Sequence, residues 1–353
     1  MKRALLGADE LFPADREAPP WPGRSEMVDG ANVFVRETPA LMPGAEPALY
    51  VHGLGGSATN WTDLAGLLAP RLEGHAIDLP GFGHSDPASS YTIAAFADRV
   101  IRWIEYSGRG PVHLFGNSLG GAISVRVAGT RPDLVRSLTL VSPAMPFLDP
   151  RRSTQSRMLP LLAIPRGDRI AMRVLSRIKP EDMANQVIAT CFADPTRVSE
   201  QRRLEAVEEI RIRYELAHYI PAYLGSMRGL ISSFLRAYLP GAGSLWRIAS
   251  KITAPTLVIG GRQDQIVDIR VAPTVARAIP DSRLLILDQV GHVAQMEVPR
   301  VVARAVVAML DEVREPAAAR PKRLSRAVRA GVASVRSEDR RGNQHGPARV
   351  APA

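Results

Sequence analysis

Short apolar runs alternate with longer stretches of helical spacing through the first 142 residues. Glu26-Met27-Val28, then Asp29-Gly30, then Asn32-Val33-Phe34-Val35 predicts a hairpin, because Asp-Gly between apolar runs favours a tight turn. Ala48-Leu49-Tyr50-Val51 runs into His52-Gly53, the pattern of a strand buried in a parallel sheet. Helical spacing follows over 61–68, and His75-Ala76-Ile77-Asp78 closes another strand. Ile93, Phe96, Ala97, Val100, Ile101 and Ile104 fall on one face of a helix that Thr92 is placed to cap. Val112-His113-Leu114-Phe115, a helix over 119–128 and Leu138-Thr139-Leu140-Val141 continue the alternation. Such alternation predicts parallel β-α-β units with helices on both faces of the sheet.

The pattern changes over residues 143–250, which show no convincing strand. Their spacing is helical, with a broad apolar stripe through Tyr223, Leu224, Met227, Leu230, Ile231, Phe234, Leu235 and Tyr238. The alternation resumes at Thr256-Leu257-Val258-Ile259, a helix over 271–278, Leu284-Leu285-Ile286-Leu287 and a helix over 298–310. A chain of 353 residues suits one large domain with an insertion. The division expected is an extended arm over 1–23, ending Pro19-Pro20-Trp21-Pro22-Gly23. An α/β core over 24–142 and 251–313, a helical insertion over 143–250 and a tail over 314–353 complete it.

Charge alters this picture only at the tail. The net charge is +10, from 45 Lys and Arg against 35 Asp and Glu. Residues 314–353 hold ten of those bases and three of the acids, so the body is nearly neutral. No basic stripe of the kind a nucleic-acid reader needs is present. The tail, rich in Ala, Pro and Arg, reads as disordered. Leu324, Val328, Val332 and Val335 recur at helical spacing among its arginines, a pattern that would also suit weak contact with an anionic membrane surface. Acids at Asp9 and Glu10 argue against a signal peptide, and no stretch is long and apolar enough to span a bilayer. A cytoplasmic protein, at most peripheral to the membrane, is expected. Cys191 is the single cysteine, which excludes an internal disulfide and a cysteine-based zinc site.

The chemistry concentrates at strand ends. Gly116-Asn117-Ser118-Leu119-Gly120 stands between a predicted strand and a predicted helix, the G-x-S-x-G nucleophile elbow in its proper setting. The turn there is so sharp that Gly116 and Gly120 are needed to avoid collision, and the serine hydroxyl projects above the sheet. A serine needs a base, and the base an orienter. His292 and Asp264 each lie just past a predicted strand, and the order Ser118, Asp264, His292 is the order such a fold uses. Asp268 is a rival orienter, but it falls at the start of a helix. His113 reads as packed within a strand. His52-Gly53-Leu54-Gly55-Gly56-Ser57 supplies a glycine-rich loop whose amides can stabilise a developing oxyanion. The backbone N–H groups of Leu54 and Leu119 are the candidate donors, with His52 bracing the loop and Gly53 and Asn117 in support. No Gly-Lys-Ser/Thr ending and no GxGxxG follows, so phosphate binding is not indicated.

These motifs resemble the α/β-hydrolase superfamily, in its cap-bearing group of esterases, lipases and carbon–carbon bond hydrolases. The resemblance rests on 52–56 with Trp61, on Asp78-Leu79-Pro80-Gly81-Phe82-Gly83-His84-Ser85-Asp86, and on 116–121, 261–264 and 291–299. It covers about 24–312. It implies an α/β-hydrolase fold with a mostly parallel eight-stranded sheet and a cap over 143–250. It also implies a serine hydrolase without cofactor or metal.

The expected activity is hydrolysis of a carboxylic ester of a mainly apolar small molecule, by a Ser118–His292–Asp264 triad and an acyl-enzyme. The alternatives are a carbon–carbon hydrolase of vinylogous diketones, an acyltransferase, or a hydrolase-fold receptor. Val293 after the histidine, where the diketone hydrolases often have tryptophan, places that reading second. Met145, Pro146 and Phe147 are expected near the insertion's hinge; Arg211 and Arg213 could meet a carboxylate, but are expected at the solvated surface. Oligomeric state is left open.

Overall fold

A computed structural model describes residues 1–8, 11, 15–147, 177–239 and 244–314. The predicted tail helix lies outside them. Residues 1–311 form one compact unit. Its sheet has nine strands: β1 (Lys2–Arg3), β2 (Gly23–Val28), β3 (Ala31–Thr38), β4 (Glu46–Val51), β5 (Leu72–Ile77), β6 (Val112–Asn117), β7 (Val135–Val141), β8 (Thr256–Gly261) and β9 (Ser282–Leu287). Their order is β1-β9-β8-β7-β6-β4-β5-β3-β2. β2 pairs antiparallel with β3 and β3 antiparallel with β5, and every other pairing is parallel. This is the mostly parallel sheet expected, with one strand more than the eight predicted. The addition is β1, two residues of the arm aligned on Arg283 and Leu284; so short a strand carries no hydrophobic period.

The helices are α1 (Thr62–Leu68), α2 (Ile93–Ser107), α3 (Leu119–Thr130), α4 (Pro180–Cys191), α5 (Glu200–Glu215), α6 (Tyr219–Arg236), α7 (Leu245–Ala249), α8 (Val271–Ala278), α9 (Ala294–Glu297) and α10 (Pro299–Arg314). Thr92 caps α2 as predicted, its hydroxyl accepting from the Ala95 amide at 3.2 Å. Gly108 ends that helix at φ 63°, a left-handed position where a side chain would be strained. Among the described residues between β7 and β8 the regular elements are helices, chiefly α4 to α7, and none is a strand.

Both sheet faces are covered, which is why the strands read as continuous apolar runs. Leu49, Val51 and Leu114 point into a core shared with Phe96, Val100, Ile123 and Val275 of α2, α3 and α8. Tyr50 and Phe115, next in sequence, point to the opposite core with Leu64, Leu68, Val302 and Val306 of α1 and α10. There the Tyr50 ring lies 4.6 Å from Phe115 and 5.4 Å from Trp61. Each such buried side chain contributes about 2–3 kcal/mol. Two rigid layers thus hold the C-terminal strand ends in place. The α6 stripe is less complete than its spacing suggests: Leu224, Met227 and Leu230 are buried, while Leu235 and Tyr238 in its last stretch face solvent.

Candidate active site

Ser118 follows β6 with φ 53° and ψ −115°, a left-handed backbone that an L-residue adopts only under constraint. The constraint is visible on both sides. The Ser118 amide continues the ladder by donating to Val141 at 3.0 Å, while its carbonyl accepts the first bond of α3 from Ala122 at 3.1 Å. A strand therefore becomes a helix within one residue. A Cβ on Gly116 would meet the Gly120 carbonyl at 2.4 Å, and one on Gly120 would meet the Val51 carbonyl at 2.3 Å. These are the collisions the motif's spacing predicts. The Ser118 side chain makes no capping bond to α3. The first amides of α3 lack intrahelical acceptors and carry the positive end of its dipole.

His292 lies in the turn after β9, and Asp264 in the turn after β8. Separated by 28 residues in sequence, they meet with His292 Nδ1 2.9 Å from Asp264 Oδ2. Both side chains are almost wholly buried. The other Asp264 oxygen accepts from the Ile266 and Val267 amides at 2.8 and 2.9 Å. Burial works to raise the Asp264 carboxyl, but the His292 partner and these two donors hold it below its ordinary range. Asp268, the rival orienter, binds Arg270 instead, at 2.8 Å. Asn117 Nδ2 donates to the carbonyls of Val141 and His292, at 3.1 and 3.2 Å, tying the serine turn to the histidine turn.

The glycine-rich loop reaches the same edge. A Cβ on Gly53 would lie 3.1 Å from the Ser118 Cβ. Among the described residues no acceptor takes the Leu54 amide. His52 is wholly buried and fully engaged: Nε2 accepts from the Leu79 amide at 2.9 Å, so the proton sits on Nδ1 and is donated to the Gly53 carbonyl at 2.7 Å. It braces the loop and has no lone pair left for proton transfer. Burial, reinforced by the Arg213 charge and opposed by the Gly53 bond, pushes it down to about 4 from an ordinary 6.5. The fold therefore favours neutral His52, and the stability this confers is present above pH 6.5 and lost as pH falls toward 4. A loss of about 3 kcal/mol is expected from this residue. Urea unfolding at pH 7.5, 6.0 and 4.5 checks it: wild type should weaken across the series more steeply than His52→Gln, and parallel behaviour would refute it.

Three residues not expected there join the site. Glu297, buried on α9, accepts from the Gly291 amide at 2.7 Å, from Ala193 and Asp194 at 3.3 and 3.0 Å, and from Arg197 Nη1 at 3.2 Å. The Cys191 carbonyl at the end of α4 accepts the His292 amide at 2.7 Å. Arg213, expected at the surface, is buried and its Nη2 stands 3.5 Å from Glu209. Arg211 does face solvent and binds Glu181. His113 is packed as expected, Nδ1 lying 2.7 Å from the Ser137 hydroxyl. Only Glu297 had a cue, five residues after His292 in a stretch already singled out. No group of three or more His, Cys, Asp and Glu among the described residues is placed to hold a metal ion.

The model of the alpha/beta hydrolase family matches residues 48–305, which is most of the chain. The chain belongs to the alpha/beta hydrolase family. Monoacylglycerol lipase ABHD6 of Rattus norvegicus is 28% identical over 280 residues, 78% of each chain. A bacterial membrane phospholipase A superposes with a TM-score of 0.66 at 26% identity, covering 84% of this chain and 87% of its own. The meta-cleavage product hydrolase CumD of Pseudomonas fluorescens IP01 superposes at 0.63 with 20% identity, covering 82% and 98%, a likeness of fold. This alpha/beta hydrolase has no described helix long and apolar enough to cross a membrane.

Proposed function

We propose that this alpha/beta hydrolase cleaves carboxylic esters of mainly apolar small molecules by a serine mechanism. The observation that carries the reading is the strained Ser118 turn, tied through Asn117 to the turn that holds a buried His292–Asp264 pair at 2.9 Å. Ser118 Oγ attacks the ester carbonyl as His292 takes its proton, and Asp264 stabilises the resulting imidazolium. The amides of Leu54 and Leu119 bind the oxyanion, each donor worth about 3 kcal/mol in the transition state. Collapse expels the alcohol, which takes the proton from His292. Water, deprotonated by the same base, then releases the acid and regenerates Ser118.

The described part of the insertion acts as a cap on the strand ends and selects the substrate. Leu54, Phe147, Tyr219 and Tyr223 are partly buried against the core, and this apolar, aromatic surface suits an acyl chain better than a charged group. The rat monoacylglycerol lipase relative is in keeping with an ester of that kind. The test is hydrolysis of p-nitrophenyl esters from acetate to palmitate, in competition with a carboxylate-bearing ester. Medium apolar acyl groups are expected to give the higher kcat/KM by tenfold or more. Preference for the charged ester would contradict the reading.

A further inference from the structure

The loop over 53–57, read above as carrying an oxyanion donor, is gripped from the inserted helices at two points. At Gly55, φ 70°, a Cβ would stand 3.3 Å from the Tyr219 hydroxyl and 3.2 Å from the Tyr223 ring. At Ser57, which is 2% exposed, the hydroxyl donates to Glu209 Oε1 of α5 at 2.9 Å. Its one proton is thereby used, so the Thr59 hydroxyl, 2.7 Å away, donates to Ser57. Glu209 is buried too, and its second oxygen faces Arg213. The Arg213 guanidinium in turn lies over the Tyr219 ring, 5.7 Å from its centroid. The contacts run from Ser57 through Glu209, Arg213 and Tyr219 back to Gly55, beginning and ending on the loop. On the core side, Asp78 Oδ1 accepts the Ala58 amide at 2.7 Å, anchoring the loop's exit.

A buried carboxylate is costly to leave unpaired, so such a circuit has one favoured geometry. The geometry points to Glu209 as a positioning residue: through Ser57, and through Arg213 and Tyr219, it sets where the Leu54 amide stands relative to Ser118. It touches no reacting atom. The insertion would then complete the oxyanion site as well as choose the substrate. This rests on the serine-hydrolase reading.

The test is a double-mutant cycle in the full chain, with Ser57→Ala, Glu209→Gln and the pair, read on p-nitrophenyl butyrate. A donor displaced by a fraction of an ångström costs the transition state more than the ground state. Each single variant should therefore lose about ten- to a hundredfold in kcat with KM within twofold of wild type. The double variant should lose no more than the worse single one, since Glu209→Gln leaves one acceptor for two donors and so breaks the same circuit that Ser57→Ala opens. Inhibition by a trifluoromethyl ketone, whose adduct carries an oxyanion, should weaken in proportion to kcat/KM. A lowered melting temperature with kcat within twofold of wild type would overturn the proposal, as would losses that multiply in the pair. Should Glu209→Gln not fold, Ser57→Ala decides by the same criteria. Ser118→Ala is run alongside: if it stays active the serine reading itself fails, whereas an inactive Ser118→Ala with active, unimpaired Ser57 and Glu209 variants rejects only the positioning role.

Discussion

Replacing Ser118 by alanine is expected to lower kcat on any ester the protein cleaves by about 10^4-fold or more. On the proposed serine mechanism the substitution deletes the attacking oxygen and nothing else of consequence. The side chain makes no capping bond to α3, so the fold loses no hydrogen bond there. Alanine keeps the Cβ that makes φ 53° costly, so the backbone strain is unchanged. Ser118→Gly should relieve it and raise stability by about 1 kcal/mol while being equally inactive. Initial rates on p-nitrophenyl butyrate, with melting curves of all three proteins, check both halves. More than one-hundredth of the wild-type rate in Ser118→Ala would mean that another group attacks.

Asp264→Asn should cost about 10^4-fold in kcat with little change in KM. The two carboxylate oxygens have separate partners, which makes the substitution informative. The amide oxygen can keep the bonds that Oδ1 receives from Ile266 and Val267, so the turn after β8 holds. The amide nitrogen then faces His292 Nδ1, where Oδ2 stood at 2.9 Å. A donor there requires Nδ1 to be unprotonated, which moves the proton to Nε2 and leaves no lone pair to accept from Ser118. Steady-state kinetics with a circular dichroism control decide it. Near-normal turnover would show that Asp264 does not orient the base.

Much of this was legible because it is local. The Gly116 to Gly120 spacing encodes a turn of a few residues, and the steric conflicts it anticipates are those found at Gly116 and Gly120. Thr92 as a cap and His52 as a brace were readable for the same reason. Asp264 and Asp268 were harder to separate, since both follow β8 and stand only four residues apart. Only the path of the turn, bent by the two amide bonds to Asp264, directs that side chain to His292 and the other to Arg270. Arg213 was misjudged because an arginine on a helix rich in charge ordinarily meets water; here it is drawn inward by Glu209 and Tyr219.

By itself, then, the sequence determined the alternation that builds the sheet, the strained serine turn, and the order in which Ser118, Asp264 and His292 follow their strands. The first two depend on steric and hydrophobic patterns spanning at most a helix or a strand. The tertiary structure alone decided which carboxylate serves His292, that Glu297 gathers the turns on either side of it, and that Glu209 reaches Ser57. Those contacts join residues up to 152 positions apart. A contact at that separation has no period or spacing to announce it, because it depends on where two packed layers bring the chain back together.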